Sequence, residues 1–326
     1  MPTSSLRRVN WPEHQILLLC IVYYVAMAAS APGFFSIANS WNLLFNLLPL
    51  LIVAVGQTYV MLTAGIDLSI TSIIALSSVV GGYLMSANSG LALAAGSAIG
   101  LGILSMLVIG LGVGLANGWS VTALGMPPFM VTLTTLITVS GLAVWLTSSQ
   151  NIYNLPSSFT DLPYADFIGI PVPLWLGGTF VGLAYYLLDR TVLGRWLRAV
   201  GMNPQVARIS GVPADRTIRF AYVVSGISAG LAAVLYTARL ETGSPVMGQH
   251  ILLDVIGAVV IGGTSLFGGR GKILWTIYGV LFIVLLDNSL NLIGFSYFLI
   301  MMVKGAVILL AAVLYVIRER RLSPQR

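Results

Sequence analysis

Long apolar segments separated by short polar or helix-breaking stretches run along the whole chain. A helix that crosses a membrane needs about 20 mostly apolar residues, and ten segments are near that length. They lie at about 15–32, 42–63, 70–86, 91–116, 121–147, 172–188, 218–238, 251–267, 273–293 and 297–317. The pattern predicts an all-α, polytopic integral membrane protein with about ten transmembrane helices. We expect residues 1–326 to form a single transmembrane domain.

The first apolar segment admits two interpretations. Arg7 and Arg8, the apolar run and the small residues Ala29, Ser30 and Ala31 resemble a signal peptide with its cleavage site. However, the run is as long as a span, and an uncleaved signal anchor is natural before many further spans. We therefore favour a retained helix.

Composition supports the membrane class. Mean hydropathy is +0.94, 57% of residues are hydrophobic and only 8% are charged. The single cysteine, Cys20, lies in an apolar run and has no internal partner for a disulfide. Redox chemistry is therefore not indicated.

The distribution of positive charge predicts the orientation. If the N-terminus lies in the cytoplasm and the chain crosses the membrane ten times, 14 of the 16 basic residues fall on the cytoplasmic side. They include six arginines from Arg190 to Arg219, together with Arg270 and Lys272. Because cytoplasmic loops collect lysine and arginine, both termini and the 189–217 loop are predicted to be cytoplasmic. Segment 151–171 holds Asp161 and Asp166 but no basic residue, as expected outside.

The basic loop contains the polar sequence "GMNPQVARISGVP" at 201–213. Asn203 is a good N-cap, and Pro204 suits the first helical position. Gly211 favours the left-handed conformation that ends a helix, and Pro213 prevents continuation. These signals predict a two-turn helix over 204–210.

So short a helix is marginal in water, so tertiary or partner contacts must hold it. Val206 and Ile209, three residues apart, form a possible docking face. The alternative is a capped turn that packs only on its own protein.

The sequence contains no recognisable catalytic motif. Gly271 and Lys272 do not belong to a phosphate-binding loop, whose motif is G-x-x-x-x-G-K-[ST]. Leu266 stands where the motif has its first glycine, and Ile273 where it has serine or threonine. The segment 262–271, here called the glycine turn, has backbone amides able to cradle an anion, but close helix packing explains its glycines more simply. These include Gly262, Gly263, Gly268 and Gly269.

The sequence also predicts no metal site. His14 and His250 are far apart and fall at opposite ends of the membrane arrangement. Neither has a cysteine or carboxylate cluster nearby, so each is interpreted as an interfacial residue.

Four charges lie in or at the ends of apolar segments: Asp67, Asp254, Asp287 and Lys304. Each costs about 2.5–3.5 kcal/mol to insert into a membrane, so they should face protein or water. Lys304 is expected to pair with Asp287 or Asp254. A proton or sodium relay is the alternative interpretation.

Asp67 belongs to "TAGIDLS", a joint between two spans that is broken by Gly65. Ser69 is predicted to help Asp67 cap the third helix, a structural role at least as plausible as a substrate role.

Uncharged polar residues also occur within the spans. They are candidates to line a path for a hydroxyl-rich solute or, more commonly, to bond neighbouring helices. The set comprises Asn46, Gln57, Thr58, Asn117, Asn288 and Asn291. Small-residue pairs allow spans to approach closely, at Gly96/Gly100, Gly110/Gly114, Gly178/Gly182 and Gly226/Gly230.

Five stretches together resemble the ribose-type permeases of bacterial ABC importers, in the same order over nearly the whole chain. They are "AVGQTYVMLTAGIDLSI" (54–70), "ANG" (116–118), "MPPFMVTLTTL" (126–136), "GMNPQVARISGV" (201–212) and "LDVIGAVVIGGTSLFGGRG" (253–271). The GIDLS and VVIGGTSLFGGRG segments are specific to the family.

The resemblance implies a multi-pass permease of the bacterial inner membrane, whose two copies or two related chains form one translocation path. A separate cytoplasmic ATPase would bind ATP and Mg²⁺, so this chain would carry no cofactor and would not be an enzyme. A periplasmic binding protein would deliver a monosaccharide or similar small polar solute. Nucleic acid is not an expected partner.

The resemblance also makes 201–211 the coupling helix that lodges in the ATPase. The residues it assigns there are Asn203, Pro204, Val206, Ala207, Arg208, Ile209 and Gly211. Arg208 is expected to pair with an acidic rim on that partner.

One position departs from the family pattern. Members commonly carry Glu-Leu-Asp before the VVIGG run, whereas this chain has Leu252, Leu253 and Asp254, so one acidic group of the family pattern is lost. The resemblance to the family therefore does not identify the solute. An ion-coupled secondary transporter and a non-transporting scaffold remain the competing interpretations.

Overall fold

A computed structural model describes residues 15–89 and 95–322. An α-helix coincides with each of the ten predicted spans. These helices are α1 (Gln15–Ser30), α2 (Ile37–Leu62), α3 (Ile70–Met85), α4 (Ala95–Ala123), α5 (Pro128–Thr147), α7 (Val172–Arg190), α10 (Ala214–Leu240), α11 (Ile251–Gly262), α12 (Ile273–Leu292) and α13 (Tyr297–Leu322). Three short helices join them: α6 (Ser157–Thr160), α8 (Val192–Met202) and α9 (Pro204–Ile209).

The chain is an all-α multi-pass membrane protein. Helices α2, α4, α5, α10 and α12 are long and apolar enough to cross a membrane, and α1, α3, α11 and the apolar part of α13 are shorter. Outside the helices, β1 (Asp166–Phe167) and β2 (Ile170–Pro171) form a small antiparallel hairpin. Residues 1–14, 90–94 and 323–326 lie outside the described part, including Arg7, Arg8, His14 and the start of the predicted fourth span.

Helix boundaries differ from the prediction where local signals were misjudged. The predicted break at 117–120 is wrong, because α4 continues to Ala123 and the break falls just before Pro128. Asn117 and Gly118 do not end α4, since the side chain of Asn117 is buried and Gly118 packs on the backbone of Arg219.

Helix α11 also differs, ending at Gly262 instead of 267. Gly263 has a φ of 107° in the left-handed region, and its N–H bonds back to the carbonyl of Val260. At 12 residues, α11 is shorter than a helix that spans the hydrocarbon core. Helix α2, in contrast, begins five residues before its predicted start, because the side chain of Ser36 accepts a hydrogen bond from the Asn39 N–H.

Helices α2 and α10 form the centre of the bundle. Every residue of α2 from Leu48 to Leu62 is buried, and α10 packs against α2, α3 and α4. Helix α1 lies on α12, where Cys20 is buried and its thiol contacts the carbonyl of Tyr278.

Glycines allow a close helix contact between α4 and α10. A Cβ on Gly226 would lie 2.0 Å from the carbonyl oxygen of Gly110, and one on Gly114 would lie 2.5 Å from that of Tyr222. The predicted close approach is therefore confirmed for the Gly110/Gly114 and Gly226/Gly230 pairs. The Gly178/Gly182 pair has no heavy atom near its Cβ positions within the described residues.

We expect Gly226→Ala to destabilise the bundle by about 1–3 kcal/mol, because the added methyl must push α4 and α10 apart. Gly182→Ala is the matched control, since it adds the same methyl to open space and should be neutral or slightly stabilising. Thermal unfolding of the two variants in detergent measures the difference. Equal melting temperatures would contradict the packing argument.

Candidate functional site at the basic end of the bundle

The arginine-rich segment 189–217 folds at one end of the bundle, here called the basic end. It contains α8 as well as the predicted mini-helix, and α8 was missed by the sequence analysis. The signal for α8 was present: Leu193, Leu197 and Val200 recur at helical spacing, and Leu197 and Val200 are fully buried. The basic end therefore presents two consecutive helices.

The mini-helix α9 confirms the predicted capping signals. The Oδ1 atom of Asn203 accepts hydrogen bonds from the N–H groups of Gln205 and Val206, both at 3.0 Å. Pro204 occupies the first helical position. Gly211 has a φ of 81°, the left-handed conformation expected after the helix. The helix ends at Ile209, one residue before the predicted end.

One face of α9 is packed and the other is open. Ala207 is buried against Val200 and Ala214, which holds α9 on α8 and α10. In contrast, the side chains of Met202, Val206 and Ile209 are 76%, 57% and 88% exposed. These three residues are here called the docking surface. Exposed apolar residues in a basic loop are a typical sign of a protein partner.

Arg208 has a partner within the chain. Its guanidinium pairs with Asp215 at 2.5 Å, and both side chains are about half exposed. Exposed pairs of this kind contribute only about 0–1 kcal/mol. An acidic group on a partner can therefore compete with Asp215 for Arg208.

Three backbone segments meet at the end of α8, just before α9. The Gly269 N–H donates to the carbonyl of Leu62, the last residue of α2, at 2.9 Å. Gly201, near the end of α8, packs so tightly that a Cβ there would lie 1.8 Å from the same carbonyl oxygen. Gly268 lies against Gly201 and Ala64. We call Leu62, Gly201, Gly268 and Gly269 the backbone junction.

The glycine turn is folded on itself and on this junction. The N–H of Ser265 bonds to the carbonyl of Arg270, that of Phe267 to the Ser265 hydroxyl, and that of Gly268 to the Ser265 carbonyl. These amides and that of Gly269 are therefore already satisfied. Gly262 in turn packs on the backbone of Trp275. The close-packing explanation of these glycines is supported over an anion cradle.

A largely buried, non-helical link joins α2 to α3, over 63–69. Within it, Asp67 is fully buried and accepts three hydrogen bonds. They come from the Ser69 N–H at 2.9 Å, the Ser69 hydroxyl at 2.6 Å and the Ser225 hydroxyl of α10 at 2.8 Å. Asn117 of α4 donates to the Ser69 hydroxyl at 2.9 Å and accepts from Thr135 of α5 at 2.7 Å. These five residues are here called the polar cluster.

Ser69 does not cap α3 as predicted. Its side chain makes no capping bond, because its hydroxyl donates to Asp67 and accepts from Asn117. With its amide turned so that the nitrogen faces the Asp67 carbonyl and the oxygen faces the Asp67 N–H, the Gln57 side chain forms a hydrogen bond with each of these groups at 3.2 Å. Gly65 leaves room for the Tyr222 hydroxyl, which a Cβ at that position would approach to 2.7 Å. The link is thus tied to four helices at once.

The other three intramembrane charges form a separate group near the opposite end. The Lys304 ammonium lies 2.8 Å from Asp254 and 3.0 Å from Asp287, so the predicted pairing is confirmed with both carboxylates. Within the described ranges, no hydrogen bond or ion pair links this group to Asp67. The four charges therefore do not form a continuous chain of contacts.

The candidate path residues do not gather in one place. Gln57, Asp67 and Asn117 lie in or beside the polar cluster. Asn46 accepts from Arg239 at 2.8 Å, and Asn291 donates to Asp287. Asn288 exchanges two hydrogen bonds with Asn39 and so links α12 to α2. Asn39, Ser225 and Thr135 were missed by the sequence analysis, since nothing in their local sequence separates them from other polar residues of a span.

Comparison with known proteins places this architecture in a family. Residues 39–312 match a family model described as a branched-chain amino acid transport system / permease component. The ribose import permease protein of Escherichia coli strain K12 is 34% identical over 307 residues, covering 92% of this chain and 93% of that protein. The chain belongs to the ribose-type ABC permeases.

Other relatives agree along the same length. The ribose import permease protein of Bacillus subtilis strain 168 is 38% identical over 87% of this permease and 86% of its own chain. The L-arabinose transport system permease protein of Escherichia coli strain K12 is 32% identical over 94% and 90%. The matched region contains α9, the backbone junction and the polar cluster. The family consists of transport permeases and not of enzymes.

Proposed function

We propose that this permease is the membrane subunit of a bacterial ATP-driven importer that moves a monosaccharide or a similar small polar solute by alternating access. The observation that carries the proposal is the docking surface. It exposes three apolar side chains on α8 and on the capped helix α9, and the end of α8 packs backbone to backbone on the central helix α2. The relatives named for ribose and L-arabinose support a sugar as the solute.

The docking surface would bind a separate cytoplasmic ATPase. Exposed apolar anchors supported by a buried Ala207 resemble the centre of a protein interface, where a few side chains supply most of the affinity. In this proposal the ATPase holds ATP and Mg²⁺ and carries out hydrolysis. This chain contributes no cofactor.

Motion of α9 would reach the membrane helices through a short series of contacts. Gly201 and Gly269 press on the carbonyl of Leu62 at the end of α2. The link that follows contains Asp67, whose hydrogen bonds hold α3 and α10, and through Ser69 also α4. A displacement of α9 would therefore be shared by several helices instead of being absorbed by a flexible loop.

The proposed topology places the basic end and both termini in the cytoplasm, with about ten helices in the inner membrane, the short α11 included. The concentration of arginine around α8 and α9 supports this orientation. The opposite end would then receive solute from a periplasmic binding protein. A second copy or a related chain would complete the path.

The ion-coupled alternative has less support. Lys304 is paired with both nearby carboxylates, and Asp67 is enclosed by hydrogen bonds from neutral groups. An ion relay needs charged groups in mutual reach, and these two sites make no contact along the described part of the chain.

ATPase activity in lipid discs tests the proposal. The permease is co-expressed with the ATPase encoded beside it and assayed with the neighbouring binding protein and a panel of pentoses, hexoses, polyols and nucleosides. Stimulation by one loaded binding protein would establish the importer and name its solute. Failure to assemble with any ATPase would contradict the proposal and favour an ion-coupled transporter.

A further inference from the structure

A cavity of about 310 Å³ lies at the end of the bundle opposite the basic end, between the end of α3 and the segment that follows α5. This volume is near the lower limit of about 300–1,000 Å³ for small-molecule sites. Its polar lining consists of Tyr83, Ser86, Asn88, Asn151, Tyr153 and Asn154. It is far in sequence from α9 and contains no member of the polar cluster.

The walls of the cavity are fixed by backbone hydrogen bonds. Ile152 exchanges two bonds with Gly243, at 2.8 and 2.9 Å. The Ser86 hydroxyl donates to the carbonyl of Tyr153 at 2.8 Å, and the Ala87 N–H donates to that of Asn154 at 3.1 Å. The segment 151–154 is therefore held against both α3 and the 241–250 loop, so the cavity does not depend on a free loop.

The polar side chains that line the cavity are uncharged and can form hydrogen bonds. The cavity contains three carboxamides, one hydroxyl and two phenols, and no charged side chain. Carboxamides both donate and accept hydrogen bonds, as do the hydroxyl groups of a polyol. The side-chain amides of Asn88 and Asn154 make no hydrogen bond to other described residues, so they are available to a ligand. Aromatic rings offer apolar faces to the C–H surface of a sugar ring.

We infer that this cavity is a weak receiving site for an uncharged polyhydroxylated solute, of monosaccharide size, at the mouth of the permease. The inference rests on the proposed function, because it is the proposed topology that places this end of the bundle outside. Solute released from a binding protein would be held here before it enters the path. Charged analogues would bind less well, since no cationic or anionic group lines the cavity.

Direct binding to the permease in lipid discs, without ATPase or binding protein, tests the inference. Saturation-transfer NMR is measured with D-ribose, D-glucose, myo-inositol and uridine, and with D-glucuronate as the charged analogue of glucose. We expect at least one neutral probe to show transfer, and glucuronate to show less than glucose. Absence of transfer to every neutral probe would overturn the inference.

Variants locate the binding. Asn88→Ala combined with Asn154→Gly removes both available amides, and glycine suits the φ of 59° at position 154. Binding should weaken by about tenfold, as expected for loss of one or two neutral hydrogen bonds. Tyr153→Ala should act in the same direction, whereas Tyr164→Ala is the control. Tyr164 is similarly exposed and lies in the same inter-helix segment, but outside the cavity lining.

Different results would contradict the receiving site and the proposed function. Unchanged sugar binding in the cavity variants would overturn the receiving site even if the intact importer works. An effect of the variants only when binding protein is docked would identify the cavity as a protein contact and also overturn it. Loss of response of the wild-type assembly to every loaded binding protein would instead contradict the proposed function.

Discussion

Val206→Asp combined with Ile209→Asp should abolish ATP-driven uptake while leaving the permease folded in the membrane. Both side chains are largely exposed in the isolated chain, so the carboxylates cost little there. In an interface with an ATPase the same carboxylates would be buried without partners. Loss of an apolar anchor commonly costs about 2 kcal/mol or more, which is roughly thirtyfold in affinity for each residue.

Co-purification of the permease with its ATPase measures this effect, and solute-stimulated ATP hydrolysis measures its consequence. Val246→Asp is the matched control, because Val246 is also 57% exposed but lies in the loop at the opposite end. It should leave ATPase binding unchanged. Normal assembly and uptake in the Val206/Ile209 double variant would show that the docking surface binds something else.

Asp67→Leu should be the most destabilising single change in the link. It strands the Ser69 N–H and the hydroxyls of Ser69 and Ser225 in a buried site, at about 1–3 kcal/mol for each donor left unpaired. Asp67→Asn should cost less, because its carbonyl oxygen still accepts from Ser69 and the Ser225 hydroxyl can rotate to accept from the amide. Thermal unfolding in detergent should give the lowest melting temperature for Asp67→Leu, an intermediate one for Asp67→Asn and the highest for the wild type.

The exposed Asp161 provides the control, since Asp161→Leu should leave the melting temperature nearly unchanged. Uptake by the folded Asp67→Asn variant also separates the two transport mechanisms. An ion carrier that needs a titrating group at Asp67 would lose activity, whereas an importer driven by ATP should retain most of it. Loss of uptake without loss of stability would falsify the structural role assigned to Asp67.

Much of the architecture could be predicted because hydrophobic length and capping chemistry are local signals. Asn203, Pro204 and Gly211 correctly marked the mini-helix, and the apolar segments marked the ten helices that accompany it. The boundary between α4 and α5 was misplaced because Asn117 and Gly118 resemble a helix end by composition. Their contacts with Ser69, Thr135 and Arg219 are tertiary, so no local pattern contains them.

The candidate site was predicted in part for the same reason. Asp67 and Lys304 stood out as charges in apolar surroundings, and the pairing of Lys304 was correctly expected. The partners of Asp67 could not be ranked, because Ser225 lies 158 residues away and serine is common in packed spans. Ser69 was assigned the wrong bond, since its hydroxyl prefers the nearby carboxylate to the helix end.

The backbone junction has a consequence for how such transporters diversify. The contacts of the backbone junction, made by Leu62, Gly201, Gly268 and Gly269, are between main-chain atoms. They are possible because the three glycines have no side chain. Substitution of most surrounding residues leaves those contacts unchanged, whereas the outer cavity is built from side chains that can be exchanged one at a time. In the proposed importer, coupling to ATP hydrolysis and recognition of the solute would therefore depend on different parts of the chain, so that side-chain exchanges at the outer cavity could change the solute without altering the backbone junction.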